Sequence, residues 1–270
     1  MLPAFSPPAL AAALERHRPT GIFVGPAHMA ACLNEGLLTK QRMASLKFAL
    51  ISGSTCPPAL ARAVQESMTA GKALQLWGMS EMQAGTFTRP SDSEAVRFET
   101  TGRASTGTEL RVANDDKSMP AGIEGELQAR GPSVFSRYLD NAVATADAFT
   151  ADGWFRTGDL ARLDPAGNLR ITGRLKDVIN RGGVKFNLAD VEVLIEQHPA
   201  AAACAIVPVP DSVLGERACC FAVLKPGAGK IELADLTGWL AGKRSNGRNG
   251  FPSVFRSCPW LTTRWAPLKA

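Results

Sequence analysis

Polar and charged side chains with the potential for chemistry concentrate in three short segments: Trp77–Glu81, Gly153–Leu160 and Gly173–Gly183. A carboxylate such as that of Asp159, at a strand end, can accept hydrogen bonds from two vicinal hydroxyls of a ribose. Glu81 supplies the hard oxygen that Mg²⁺ prefers. The planar guanidinium of Arg174 suits a phosphate group. Together these side chains offer acceptors for hydroxyl groups and for a metal ion, and donors for an anion.

The three segments resemble, in order and spacing, the motifs of the adenylate-forming superfamily of acyl-CoA synthetases, luciferases and peptide-synthetase adenylation domains. The resemblance covers about residues 1–243, and Gly125-Glu-Leu, Gly131 and Tyr138-Leu-Asp140 extend it between the motifs. It implies that a carboxylate oxygen attacks the α-phosphorus of ATP, that pyrophosphate leaves, and that a thiol such as that of CoA attacks the acyl-adenylate. The implied substrates are a carboxylic acid, ATP and CoA, with AMP as a product and Mg²⁺ as the cofactor, in a pathway such as fatty acid metabolism.

The resemblance also implies roles for single residues in the nucleotide site. Asp159 would bind the ribose, and Arg174 the ribose and phosphate side of the nucleotide. Trp77, where the family usually has tyrosine, would stack on adenine next to Gly78. Ser80, where threonine is commoner, would donate to the α-phosphate. Glu81 would hold Mg²⁺.

Further residues match positions around the acyl and thiol paths. In the family, one loop contacts adenine and the acyl group. The matching positions here are Gly53, Ser54 and Thr55. Lys176 falls at the hinge where the small domain swings between two orientations. Gly182 and Gly183 match a glycine pair beside the thiol path, where the lack of a side chain permits close approach.

Several of these residues have ordinary structural interpretations as well. Asp159 suits a hairpin turn, Arg174 a surface ion pair, Lys176 a solvated side chain, and Trp77 a core position. The prolines at 57 and 58 make a plain turn into a helix an equally good reading of the loop before them.

Two parts of the family pattern are not found in the sequence. One is the Ser/Thr/Gly-rich loop ending in lysine that cradles the β- and γ-phosphates. The other is the lysine near the C-terminus that stabilises the adenylation transition state; Lys269 is only a remote candidate for it. We therefore expect a chain that starts midway through the large domain and has impaired activity. Because residues 245–270 lack periodicity, we hypothesise a frameshift near Lys243 and a non-native or disordered tail.

The elements around these motifs predict an α/β fold. Ser6 and two prolines predict a helix start. Strands are predicted at Gly21–Val24, Leu46–Ile51 and Leu74–Trp77, and a helix at Ala59–Met68. Such alternation predicts a layered sheet covered by helices.

From about residue 100 to 172, short strands and turn signals such as Asp164–Gly167 predict a small β subdomain. Apolar residues at helical spacing over Leu188–Ile195, two strands and a helix near Leu233–Leu240 predict a separate α+β unit. We predict that residues 1–175 form the C-terminal portion of a large AMP-binding domain, a mixed sheet with helices plus the β subdomain. We predict that residues 176–270 form a small α+β C-terminal domain.

The composition argues against several other kinds of protein, among them nucleic-acid-binding proteins and integral membrane proteins. The 30 lysines and arginines against 25 acidic residues give a net charge of +5, but the basic residues are scattered until the last thirty positions. We therefore predict no nucleic-acid partner. The six cysteines lack metal-ligand spacing, and no apolar stretch is long enough for an integral membrane segment. A cytoplasmic protein is predicted, while the oligomeric state is left open.

Two alternatives to the ligase are kept. One is a non-catalytic remnant that binds nucleotide or a partner. The other is a serine hydrolase, in which the strand ending at Trp77 and the following Ser80 form a nucleophile elbow, with Asp159 and His198 as partners. Met82, where such an elbow needs glycine, argues against it.

Overall fold

The computed structural model describes residues 4–181, 184–211, 215–225, 227–229 and 231–242. The chain divides into two compact units, Met1–Thr172 and Gly173–Ala270. This division lies close to the predicted one between residues 175 and 176. The first unit contains two hydrophobic cores, one of which takes residues from both of its sheets, and the second unit has a core of its own.

The first sheet of the first unit has five strands in the order β1-β2-β3-β4-β5: Gly21–Val24, Phe48–Ile51, Lys72–Met79, Gln83–Phe87 and Arg103–Ala104. Strands β1, β2 and β3 are parallel, whereas β4 is antiparallel to both β3 and β5. The helices of this layer are α1 to α5: Pro7–His17, Pro26–Asn34, Lys40–Met43, Pro58–Ser67 and Glu94–Glu99. The predicted mixed α/β sheet is confirmed.

Helix α1 begins as the sequence predicts. The Ser6 hydroxyl accepts a hydrogen bond from the Ala9 amide at 3.3 Å, which satisfies one of the free donors of the first turn. Leu10 and Leu14 lie four residues apart on one face and are buried in the core. Helix α2 was not predicted, because Gly25 precedes it in place of a polar capping residue.

The second sheet has the order β10-β9-β8-β6-β7, with strands at Leu169–Arg174, Phe155–Leu163, Gly125–Arg130, Glu109–Asn114 and Lys117–Ser118. Helix α6, Ala142–Ala148, lies between β8 and β9 in the chain. The β subdomain predicted from about residue 100 thus starts at Glu109, because Arg103–Ala104 pairs with β4 of the first sheet. At the predicted turn, Asp164 Oδ1 accepts from the amides of Ala166 and Asn168 at 2.9 and 2.8 Å.

The second unit contains the sheet β12-β11-β14-β13, formed by Val184–Asn187, Val178–Arg181, Gly215–Leu224 and Ala201–Asp211. Helices α7 and α8, Leu188–Glu196 and Leu233–Gly242, pack on its core. The predicted α+β composition is confirmed, although β11 and β12 were not predicted. Within the described residues, no helix has the length and apolar character needed to cross a membrane.

A buried arginine joins the helices of the first layer to β3. The Arg97 side chain is 2 % exposed and donates to Gln65 Oε1 at 2.6 Å and to the Ala73 carbonyl at 3.2 Å. Its guanidinium carbon lies 4.9 Å from the centre of the Phe98 ring. Such a charge is tolerated inside a protein only because its donors are satisfied.

We expect Arg97→Met to lower the free energy of unfolding by roughly 2–4 kcal/mol, because Gln65 and the Ala73 carbonyl would lose a buried partner. Urea denaturation measures this loss. Arg62→Met is the matched control: Arg62 also lies over Phe98, but its side chain is 47 % exposed, so its ion pair with Glu99 should contribute less than about 1 kcal/mol. Equal losses for the two variants would contradict the assignment.

Candidate functional site

The carboxyl ends of three parallel strands meet at one edge of the first sheet. Gly25 follows β1, Gly53 to Thr55 follow β2, and Ser80 and Glu81 follow β3. Ligands of open α/β sheets bind at such an edge. Gly53, Ser54 and Thr55 are exposed there, and Gly53 has φ +99°, a conformation that favours glycine. This position suits a loop that contacts a ligand.

Ser80 and Glu81 are the two central residues of the turn between β3 and β4. The turn is closed by a 3.1 Å hydrogen bond from the Met82 amide to the Met79 carbonyl. Ser80 is exposed and Glu81 is half-buried. Just before the turn, a Cβ at Gly78 would lie 1.9 Å from the Gln83 carbonyl oxygen. Only glycine therefore allows the two strands to approach so closely.

Trp77 lies in the core at the end of β3. Its ring is 8 % exposed, and a Cβ at Gly85 would lie 2.4 Å from it, so one region of the indole packs directly against the β4 backbone. The indole Nε1–H donates to Asp159 Oδ2 at 2.8 Å. Trp77 is therefore a hydrogen-bond donor to the predicted ribose-binding carboxylate, which the sequence did not indicate. Its stacking on adenine stays a prediction.

Asp159 lies on β9 and is 7 % exposed. Its backbone amide donates to Thr157 Oγ1 at 3.1 Å, and the Thr157 hydroxyl in turn donates to the Leu127 carbonyl at 2.7 Å. Asp159 thus lies in the middle of β9, and not at the predicted strand end or at a hairpin turn. The structure brings it together with Trp77, and the two belong to different sheets of the first unit.

A further residue contacts the site through Glu81. The Tyr138 hydroxyl donates to Glu81 Oε1 at 3.1 Å, and the Phe135 amide donates to the Glu81 carbonyl at 2.7 Å. Burial, together with the hydrogen bond to the Glu81 carboxylate, raises the pKa of the Tyr138 phenol. The sequence includes Tyr138 in the resemblance but assigns no role to it.

The other predicted site residues fall in the second unit. Arg174 is exposed at the end of β10, and Lys176 is exposed in the short 3-10 helix Leu175–Asp177 that follows. This turn between two regular elements is compatible with the predicted hinge, which stays a prediction. Gly182 and Gly183 lie outside the described residues, as does the tail from residue 243.

The local structure does not match the serine-hydrolase alternative. A nucleophile elbow places serine between a strand and a helix, but Ser80 lies in a hairpin that continues directly into β4. His198 belongs to the second unit, where its ring lies edge-on to Trp239 at 5.1 Å and its Nδ1 accepts from the Ala200 amide at 3.2 Å. The hairpin therefore lacks the strand–turn–helix geometry of a nucleophile elbow.

The mixed sheet with helices, the β subdomain and the small α+β unit form the architecture of adenylate-forming enzymes. ATP-bound MatB from Rhodopseudomonas palustris is similar in structure, with a TM-score of 0.79 and 26% identity over 91% of this chain and 48% of that one. The o-succinylbenzoate CoA synthetase MenE from Bacillus subtilis, in complex with the acyl-adenylate OSB-AMP, is also similar in structure. Its TM-score is 0.77, with 25% identity over 92% of this chain and 49% of that one.

The chain belongs to the family of AMP-binding enzymes. The family model "AMP-binding enzyme" matches residues 1–139, and "AMP-binding enzyme C-terminal domain" matches residues 190–254. The second match runs past Lys243, so the resemblance extends further than predicted.

Two curated relatives are CoA ligases. The medium-chain fatty-acid–CoA ligase of Escherichia coli (strain K12) is 36% identical over 90% of this chain and 43% of its own length. The 2-hydroxy-7-methoxy-5-methyl-1-naphthoate–CoA ligase of Streptomyces carzinostaticus is 39% identical over 86% of this chain and 41% of its own length. The chain therefore spans less than half the length of these relatives.

The Cys56 thiol anchors the loop after β2 and should be unreactive. It is 7 % exposed, and burial raises its pKa from the ordinary 9.0 to about 11. At pH 8 the thiolate fraction is then about 100-fold lower than in the unfolded chain, so alkylation of Cys56 should be slowed by at least that factor. Mass spectrometry of the Cys56 peptide after iodoacetamide treatment, with the urea-unfolded chain as control, measures the ratio. Equal rates in the folded and unfolded chains would contradict the burial.

Proposed function

We propose that this chain contributes the nucleotide site of an ATP-dependent ligase that joins a carboxylic acid to CoA. The observation that carries the proposal is the buried Asp159 carboxylate, held by Trp77 at 2.8 Å, on a strand of an AMP-binding enzyme. The relatives described above, which are CoA ligases, support the choice of CoA as the thiol.

In the proposed reaction, an oxygen of the substrate carboxylate attacks the α-phosphorus of ATP. The bond from this phosphorus to the bridging oxygen breaks, and pyrophosphate leaves with the bonding electron pair. The thiol sulfur of CoA then attacks the acyl carbonyl carbon, its proton is lost to solvent, and AMP leaves. Both steps transfer a group to a nucleophile, so the site mainly orients the reactants and offsets negative charge.

Residues of the first unit divide this work. Asp159 accepts hydrogen bonds from the ribose hydroxyls and so orients the nucleoside. Ser80, exposed at the turn, donates to the α-phosphate. The exposed loop Gly53–Thr55 contacts adenine and the acyl group from the neighbouring strand end.

Residues of the second unit act on the phosphate and thiol sides. Arg174 pairs with the phosphate side of the nucleotide, and the turn containing Lys176 is the hinge. The family resemblance assigns Gly182 and Gly183 to the path of the thiol.

The residues present fit a magnesium ion held jointly with substrate. Among the described residues, no group of three or more His, Cys, Asp or Glu side chains gathers to hold a metal. Proteins usually bind Mg²⁺ through one or two carboxylates together with substrate phosphates, and the half-buried Glu81 carboxylate in the turn after β3 provides one. When bound, Mg²⁺ would offset phosphate charge.

Asp159→Asn tests the proposal with little disturbance of the core. An amide oxygen can still accept from the Trp77 indole, but the charge that would bind the ribose is gone. Since a hydrogen bond to a charged group contributes roughly 1.5–3 kcal/mol, we expect an acyl-sulfamoyl-adenosine mimic to bind about 10- to 100-fold more weakly. Isothermal calorimetry on the full chain measures the dissociation constants.

Asp115→Asn is the matched control. Asp115 is exposed in the β6–β7 turn at φ +48°, a conformation that asparagine also tolerates, and the substitution removes the same charge. Binding should equal that of the unsubstituted chain. A folded, unsubstituted chain that fails to bind the mimic would overturn the proposal. Binding without thioester formation from acid, ATP and CoA would favour the non-catalytic, nucleotide-binding alternative.

A further inference from the structure

Glu81 is held at two points by one segment of the chain, the stretch between β8 and α6. The Phe135 amide donates to the Glu81 carbonyl at 2.7 Å. Three residues further on, the Tyr138 hydroxyl donates to Glu81 Oε1 at 3.1 Å. The first contact positions the backbone of the turn, and the second positions the carboxylate itself. Two contacts from one segment fix an orientation that a single contact would leave open.

Tyr138 is itself firmly anchored. Its backbone amide donates to Thr145 Oγ1 of α6 at 3.0 Å, and its ring lies edge-on to Phe135 with the centroids 4.7 Å apart. Phe135 in turn lies edge-on to Phe155 at 5.3 Å. Phe155 is 1 % exposed and begins β9, the strand that carries Asp159. Aromatic pairs of this geometry are directional. The tyrosine therefore links the Glu81 turn to the strand of the proposed ribose ligand.

The contact with Tyr138 leaves Glu81 with room for a further ligand. The Tyr138 hydroxyl donates a hydrogen bond to Glu81 Oε1 at 3.1 Å. An ionised carboxylate accepts about four hydrogen bonds or ligand contacts in total, so one bond to Tyr138 leaves acceptor capacity for a cation.

We propose that Tyr138 is a positioning residue that holds the Glu81 carboxylate in the orientation needed to ligate a divalent cation bound with the nucleotide. The inference rests on the proposed function, because Glu81 is the cation ligand there. Tyr138 acts through Glu81 and does not contact the substrate. Partners of this kind, which orient a metal ligand, typically contribute 10- to 100-fold to metal affinity.

The first test measures divalent-cation affinity, using Mn²⁺ as the probe in the presence of saturating AMP and electron paramagnetic resonance to count free Mn²⁺. Tyr138→Phe removes the hydroxyl but keeps the ring that packs on Phe135. We expect its dissociation constant for Mn²⁺ to rise about tenfold or more. Glu81→Gln should raise this constant further. In the double variant, the loss of the Tyr138 hydroxyl should have no additional effect, because its hydrogen bond acts only through the Glu81 carboxylate.

The second test uses the fact that the chain contains a single tyrosine. Biosynthetic incorporation of 3-fluorotyrosine therefore gives one fluorine NMR resonance, which reports on Tyr138 alone. Titration with Mg²⁺ and AMP should shift this resonance in the unsubstituted chain. It should leave the resonance unmoved in Glu81→Gln. A merely structural tyrosine would not respond to the cation in this Glu81-dependent way.

The outcomes separate this inference from the proposed function. If the chain binds the adenylate mimic but Tyr138→Phe retains the original Mn²⁺ affinity, the positioning role is overturned and the proposed function stands. A fluorotyrosine resonance that ignores Mg²⁺ in a mimic-binding chain overturns it as well. Failure of the folded, unsubstituted chain to bind the mimic overturns the proposed function, and the positioning role with it. Circular dichroism of each variant confirms that it is folded before these measurements.

Discussion

The hydrogen bond from the Trp77 indole to the Asp159 carboxylate is the contact around which the first unit is organised. It joins β3 of one sheet to β9 of the other, across 82 positions of sequence. Both side chains are less than a tenth exposed. A buried carboxylate without a donor costs more free energy than the hydrogen bond itself contributes. A shift of one sheet along the other would therefore break this buried hydrogen bond.

The proposed chemistry depends on the Trp77–Asp159 hydrogen bond, because this bond connects the proposed ribose ligand with the strand that leads to Ser80 and Glu81. Ser80 and Glu81 lie three and four residues after Trp77, in the turn that ends β3. The position of the indole therefore also influences the position of this turn. Tyr138 adds a second link between the same turn and β9, by way of the aromatic ring of Phe155. Two sets of contacts therefore connect β9 with the segment that carries Trp77 and Glu81.

The sequence predicts helices and strands that are marked by neighbouring residues. It does not predict contacts between residues that are far apart in the chain. Ser6 and the prolines that follow mark the start of α1, and apolar runs mark β1 to β3. Helix α2 escapes prediction because Gly25 precedes it, and the cap is a His28 ring nitrogen that accepts from the Gly25 amide at 3.3 Å. The motifs indicate the site residues, but not that Trp77 meets Asp159 or that Tyr138 meets Glu81. Those contacts join residues 82 and 57 positions apart, which no local pattern encodes.

The large side chain of Trp77 fits beside Gly85 only because glycine has no side chain. The six-membered ring of the indole occupies the volume that a side chain at position 85 would need, with only 2.4 Å to a Cβ there. A larger residue at 85 would displace the ring and withdraw its N–H from Asp159, whereas a smaller ring at 77 would leave a void beside the glycine. The two positions are therefore expected to covary among AMP-binding enzymes. Any redesign of this site has to treat them as one paired substitution.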